Sequence, residues 1–177
     1  SDFRKMVSII RERGFHHLFG TVTLIESGFK AVAQSGAGAR GFWQIIPTTA
    51  TDLGLKLTPV DQRTQIEPST RAAMKYFDSL LTAYPRWKGN HKMALAAYNW
   101  GQGSLLNGHK KLEKTQKEEA KKLGIEDVID FSDDFWDLHR RRMMPKETRD
   151  YVVNFLAANV VLLSPQQFGL EYSPVRQ

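Results

Sequence analysis

Cysteine is absent from all 177 residues, which excludes disulfides, thiolate metal sites and a cysteine nucleophile. That absence says little about compartment, because a reducing and an oxidising environment tolerate it equally. Long apolar runs are missing too. The Val160–Leu163 run ends an amphipathic pattern and, like every other, falls far short of a membrane span, so none is expected in this chain. The opening Ser1-Asp2-Phe3-Arg4-Lys5 has no apolar segment behind it, so no signal peptide is expected. A start without Met suggests a mature or excised fragment whose targeting segment has been removed. Metal-ligand spacing is lacking as well. His16 and His17 are adjacent and cannot chelate from one helix face, while His91, His109 and His139 are scattered with no His-Glu-x-x-His. Neither a metal nor a cofactor is expected. The glycines of Gly36-Ala37-Gly38-Ala39-Arg40-Gly41 match a dinucleotide fingerprint, but no strand precedes them and no acidic residue follows at the needed distance.

What is present fits one soluble globular domain, 1–177, long enough to bury a core without staples. The net charge of +6 favours an anionic partner: nucleic acid, acidic lipid or an acidic polymer. Apolar residues recur at helical spacing almost throughout, and no stretch sustains period two. The class is therefore all-α.

Phe3, Met6, Val7 and Ile10 share a first helix face that stops at Gly14. A second helix is predicted from about Phe15 to Ser27, with Leu18, Val22, Ile25 and Phe29 in register and Gly28 ending it. Gln34–Gly41 is too glycine-rich for regular structure and reads as a loop. Pro47 opens a short helix that closes near Gly54. A long helix spans about Pro68–Tyr84, stopping before Pro85, with Ala72, Ala73, Tyr76, Phe77, Leu80 and Leu81 inward. Asn90 caps the next, His91–Trp100, which ends at Gly101. The Lys/Glu-rich segment 104–123 reads as a solvated helix or hairpin. A last helix follows Pro145 and turns Tyr151, Val152, Phe155, Leu156, Val160 and Leu163 inward; residues 164–177 read as a tail or linker.

Among the titratable residues Glu26 stands apart. It falls in the last turn of an apolar helix (Val22, Leu24, Ile25), directly before Ser27-Gly28. Apolar surroundings disfavour the carboxylate, and so does the negative end of a helix dipole. Both are expected to raise its pKa, as protonation of a glycosidic oxygen requires. The segment alone also fits a surface glutamate at a frayed helix end.

Several blocks of the sequence together resemble the soluble lytic transglycosylase family. These are Glu26-Ser27-Gly28-Phe29, Ser35-Gly36-Ala37, Ala39-Arg40-Gly41-Phe42-Trp43-Gln44-Ile45-Ile46-Pro47 and Thr49-Ala50, then Ala96-Ala97-Tyr98-Asn99-Trp100-Gly101-Gln102-Gly103. Asp134-Phe135-Trp136 and Pro145-Lys146-Glu147-Thr148-Arg149-Asp150-Tyr151-Val152 complete the set. The likeness covers roughly residues 15–163 in the family's order, and Trp before Gln, with Asp-Phe-Trp, points to a membrane-bound branch. The resemblance implies a lysozyme-like domain with a long substrate cleft. It implies cleavage of peptidoglycan between N-acetylmuramic acid and N-acetylglucosamine without water, leaving 1,6-anhydro ends, with one Glu as acid and then base; this departs from the two-carboxylate scheme. Attack from strand ends and attack within strands both remain open. A bacterial periplasmic setting and a monomer are expected, with glycan strands as partner.

By that resemblance Glu26 is catalytic. Ser35 and Gln44 line the cleft, Tyr98 places its hydroxyl near Glu26, and Glu147 lies at the cleft. Asn99 either bonds an N-acetyl group or caps its helix. Trp43 and Phe42 suit stacking on a sugar, though either fits a core. The sequence departs from the family's pattern at Trp100, where a small residue is usual, and in a longer insertion over 104–131. That insertion carries Lys110, Lys111, Lys114, Lys117, Lys121 and Lys122. Arg140-Arg141-Arg142 suit either acidic stem peptides or ordinary surface pairs. A hydrolytic muramidase would need a second carboxylate, such as Asp52, Asp61 or Glu67, and no segment marks one out. A glycan-binding module on a dead enzyme fold is disfavoured by Glu26, Tyr98 and Asn99 together. Nucleic-acid binding is the weakest reading and is not expected, since no recognisable nucleic-acid-binding motif accompanies the charge.

Overall fold

Three- and four-residue apolar spacing builds eight α-helices among the described residues of the computed structural model, which are 1–84, 87–125 and 135–171. Strands are absent there apart from two isolated antiparallel bridges, Gln34 to Arg40 and Arg40 to Ile45. The all-α reading is correct. Pro85, Asp134, Pro174 and the end of the insertion (126–131) lie outside the described residues. Backbone contacts group the chain into two compact units: Ser1–Tyr76 with Val153–Gln177, and Phe77–Val152.

In the first unit, α1 (Asp2–Glu12) buries Met6, Ile9 and Ile10. The predicted second helix is shorter than expected. His17–Gly20 form a 3-10 turn, capped when His16 Nδ1 accepts from the Leu18 N–H, and α2 begins only at Thr21 (Thr21–Ser27). Gly20 is buried here, and a Cβ on it would stand 2.8 Å from Met6 Cε. Pro47 opens α3 (Pro47–Asp52) as read. Next comes α4 (Ile66–Thr82), whose Ala72, Ala73 and Met74 belong to this unit's core. The C-terminal part of α8 (Lys146–Leu163) brings Phe155 against Phe19, with ring centroids 5.7 Å apart.

That segment also corrects the reading. Val160 and Leu163, expected inward, are 56% and 64% exposed. The buried position belongs to polar Asn159, whose Oδ1 accepts from the Thr21 hydroxyl at 2.6 Å. A satisfied polar group can occupy a core position that an apolar pattern passes over. Residues Pro165–Phe168 of the expected tail form a 3-10 turn.

The second unit is built on α5 (His91–Trp100) and α6 (Gln102–Leu123). Asn90 caps α5 as predicted, its Oδ1 accepting from Met93 N at 3.2 Å. The insertion is a helix rather than a hairpin, and it is not wholly solvated. Leu105, Gly108, His109, Leu112 and Ala120 are buried along one face, opposite the lysines. Gly108 allows close approach, since a Cβ there would lie 3.0 Å from Met143 O and 3.1 Å from Trp100 Cζ3. The bulk of Trp100 thus rests on the missing side chain of Gly108. Trp87 is core, edge-on to His109. A short helix, α7 (Phe135–Arg140), was not foreseen; it buries Phe135 and Leu138. No helix among the described residues is long and apolar enough to cross a membrane.

Asn90→Ala is expected to lower unfolding free energy by about 1 kcal/mol, measured by urea denaturation. An unchanged midpoint would remove the cap from the account of α5.

Candidate active site

Glu26 lies half-buried in the last turn of α2. The helix ends because Gly28 adopts φ +59, and the amides of Gly28 and Phe29 turn back to the carbonyls of Leu24 (3.0 Å) and Thr23 (3.1 Å). The two bonds close the helix end, and the first satisfies the carbonyl of Leu24, one of the last four of the helix. Phe29 itself holds φ +60 and packs between Phe3 and Phe42, with ring centroids 6.0 and 5.0 Å away. The surroundings are less apolar than the sequence suggests. Leu24 is 52% exposed, and the buried face of α2 is Thr21, Val22 and Thr23, both hydroxyls being bonded.

Beside α2 the loop 33–46 is held by its own polar groups. Ser35 Oγ accepts from Ala39 N at 3.1 Å, and the backbones of the two residues also pair at 2.9 Å. The exposed Ser35 side chain therefore closes a turn. Gln44, at φ +47, donates both amide hydrogens to backbone carbonyls, Ala33 O at 3.0 Å and Gly41 O at 2.9 Å. Both of its amide donors are thereby used by the loop. Trp43 requires a correction. It is 0% exposed and its indole N–H donates to Thr70 Oγ1 of α4 at 3.0 Å, so it props the loop from below and presents no face to a sugar. Phe42, 4% exposed, is core as well.

Sequence reasoning missed the residue that organises this loop. Arg63 is buried; its Nη1 donates to Gly38 O (2.8 Å) and Ile45 O (2.9 Å), while Nε and Nη2 grip Asp61 at 3.0 and 2.8 Å. Asp61 also accepts from Arg63 N and lies 3.7 Å from Arg40. The Arg63 guanidinium, aided by Arg40, holds the Asp61 carboxyl below the usual carboxylate range, although burial opposes it. Gly41 fits beneath, at φ +84, where a Cβ would sit 1.8 Å from Arg63 O. A buried arginine in a polar stretch carries no sequence signal beyond Asp-x-Arg proximity, and the two carbonyls it serves are 25 and 18 residues away.

Of the predicted site residues, Glu26, Ser35, Trp43 and Gln44 belong to the first unit, and Tyr98, Asn99 and Glu147 to the second. Tyr98 stacks on Phe77 with ring centroids 4.6 Å apart and planes 7° from parallel. The Thr148 hydroxyl donates to Asn99 Oδ1 at 2.8 Å, tying the end of α5 to the start of α8. The helix end itself is closed by Gly101, so Asn99 is not its cap. Glu147 is exposed in the first turn of α8, where an acidic residue complements the dipole.

Two of the three alternative second carboxylates are paired with arginines: Asp61 with Arg63, and Glu67 with Arg71 at 3.5 Å. Arg140 and Arg141 pair with Asp137 and Glu119, which matches the ordinary-surface reading of that cluster. The His16 and His17 rings lie 4.2 Å apart, and desolvation, with neighbouring His16 and Arg11, holds His17 below the usual histidine range. A cavity of about 310 Å³ in the first unit, lined by Arg13, Leu55, Pro68, Arg71, Ala72 and Lys75 among others, contains none of the predicted site residues.

The helical architecture defines a class first, the lysozyme-like fold of lytic transglycosylase structures. The chain superposes on lytic transglycosylase Slt from Pseudomonas aeruginosa, solved as an inactive mutant. The TM-score is 0.66 at 24% identity, over 95% of this chain and 24% of that one. Against the 70 kDa soluble lytic transglycosylase from Escherichia coli the TM-score is 0.57 at 21% identity, covering 87% and 22%. These likenesses show the fold. The Transglycosylase SLT domain family then matches residues 11–123, more than half of the chain, and the chain belongs to that family. The chain is 35% identical over 148 residues to membrane-bound lytic murein transglycosylase D of Escherichia coli (strain K12). That alignment takes in 83% of this chain and 28% of the relative, so the chain spans about a quarter of that relative's length.

Gly41→Ala is expected to destabilise the protein by about 3 kcal/mol or more, because the new methyl meets backbone rather than a yielding side chain. Thermal unfolding with a near-native midpoint would contradict the packing described. The lowered Asp61 pKa also sets a pH dependence. The pair's contribution is complete above the unfolded carboxylate pKa of about 4 and is lost as pH falls through the lower folded value. Asp61→Asn should cost about 3 kcal/mol near neutrality, and the gap between variant and native protein should close as pH is lowered from about 5 toward 2. A gap that stays constant over that range would remove the ion pair as its cause.

Proposed function

We propose that this chain is the catalytic domain of a peptidoglycan lytic transglycosylase and that Glu26 is its single acid and base. The observation that carries this reading is the setting of Glu26, within the stretch that the family matches, on a turn closed by a tight helix end and braced by a loop fixed on a buried ion pair. The names of the relatives support the substrate, murein in one and lytic transglycosylase activity in the others.

In the proposed reaction the Glu26 carboxyl gives its proton to the oxygen bridging N-acetylmuramic acid and N-acetylglucosamine. The bond from that oxygen to C1 breaks, and the substrate's own N-acetyl oxygen shares the positive charge at C1. The Glu26 carboxylate then takes the proton of the muramic acid C6 hydroxyl, whose oxygen closes on C1. One proton is lent and returned, no water is consumed, and the product ends in a 1,6-anhydro ring. Gln44 Oε1, Tyr98, Asn99 and Glu147 are the groups proposed to meet the glycan, and Ser35 serves by shaping the loop. The action belongs in the bacterial cell envelope, on the periplasmic side. A hydrolytic muramidase is disfavoured because Asp61 and Glu67, two of the carboxylates available to activate water, are committed to arginines.

Digestion of purified peptidoglycan, read by mass spectrometry, should yield muropeptides one water lighter than hydrolysed ones, and Glu26→Gln should lose activity by a factor of about 1,000 or more. Full activity in Glu26→Gln would end the assignment. Reducing-end products would convert the enzyme into a muramidase with a second carboxylate still to be found.

A further inference from the structure

A carboxyl that must first give and then take a proton has to point at two different substrate oxygens in turn, and small displacements at such a centre are costly. Glu26 sits on a helix of only seven residues, too short to be rigid by itself, and in its last turn, where helices fray. Something outside α2 must hold that turn. The adjacent residue does so. The Ser27 hydroxyl proton is shared between the carbonyls of Thr23, one turn back, and Phe42, across in the loop, both at 2.9 Å. Its oxygen accepts from Lys30 N at 3.3 Å.

We infer that Ser27 is the positioning residue of Glu26, acting by bolting the last turn of α2 to the Phe42 carbonyl; the inference rests on the reading of Glu26 given above. The bond to Thr23 alone would be an ordinary back-bond of a helical serine, which bends helices and stabilises nothing. The second partner changes its meaning. Phe42 lies between Gly41, pressed against the Arg63 backbone, and Trp43, locked to Thr70. Its carbonyl is therefore as fixed as any in the unit, since Arg63 clamps the loop on both sides at Gly38 and Ile45. Ser27 transmits that rigidity to the residue beside it. The same carbonyl of Thr23 receives the Phe29 amide, so both lone pairs of one oxygen are spent on closing the turn that carries Glu26.

The test compares Ser27→Ala and Ser27→Thr in the native chain, with soluble uncrosslinked peptidoglycan strands as substrate. Ser27→Ala should lower kcat by about 10- to 100-fold while KM stays within about twofold, and the acid limb of its pH–kcat profile should move. Ser27→Thr, which keeps the hydroxyl, should restore most of kcat and the native profile. Amide hydrogen exchange should quicken at Gly28, Phe29 and Lys30 in Ser27→Ala and not at Asn90–Met93. If Ser27→Ala does not fold, Ser27→Cys, nearly isosteric but a weak donor, takes its place with the same expectations. Native kcat and an unmoved profile in a folded variant lacking the hydroxyl, with Glu26→Gln inactive, would overturn the positioning role alone. An active Glu26→Gln would instead overturn the reading on which it stands.

Discussion

The site half of the first unit depends on one buried cation. Arg63 brings a full positive charge into the interior, and a charge there is tolerated only when every direction around it is answered. Asp61 answers on one side and the carbonyls of Gly38 and Ile45 on the other. Removing Asp61 would leave an unpaired charge, and removing Arg63 would leave two bare carbonyls, so the contacts strongly specify the loop's geometry. That explains how a stretch carrying Gly36, Gly38 and Gly41, which loses much backbone entropy on ordering, is nevertheless fixed. The same clamp requires Gly41, because the arginine's own backbone occupies the space a side chain would need.

From that fixed loop, order passes outward by hydrogen bonds rather than by apolar packing alone. Trp43 anchors it to α4 and Gln44 ties its two arms together. The Phe42 carbonyl meets the end of α2 through Ser27. Polar residues do most of this work because a loop exposes its backbone groups and must satisfy them locally. Gln44 and Ser35 are accordingly spent in large part on the loop's own backbone. A residue can belong to a family's site motif for the shape it gives the site, without giving its side chain to the ligand.

The parts legible in the sequence are those governed by neighbours a few residues apart. Asn90 and Gly101 bound α5, Pro47 opens α3 and Gly28 closes α2, each by a local rule of capping or backbone freedom. The helix end that carries Glu26 was legible because Gly28 marks it. What escaped depends on distant partners. Asn159 is buried against Thr21, 138 residues away, so an apolar pattern hands its place to Val160 and Leu163. Arg63 reads as one more surface arginine until its two carbonyls are brought to it. Trp43, aromatic and next to a motif glutamine, invites a role in sugar stacking; only its complete burial and the bond to Thr70 place it in the core. The long lysine-bearing segment was read as charge, and its opposite face supplies core to the second unit.

The claim on which the functional account turns is that cleavage closes a ring and uses no water. Digesting peptidoglycan in water labelled with heavy oxygen, and weighing the newly formed glycan ends, tests it most directly. The account predicts ends that carry no label. One labelled oxygen per cleaved bond, appearing at the rate of cleavage, would contradict it and make water the nucleophile.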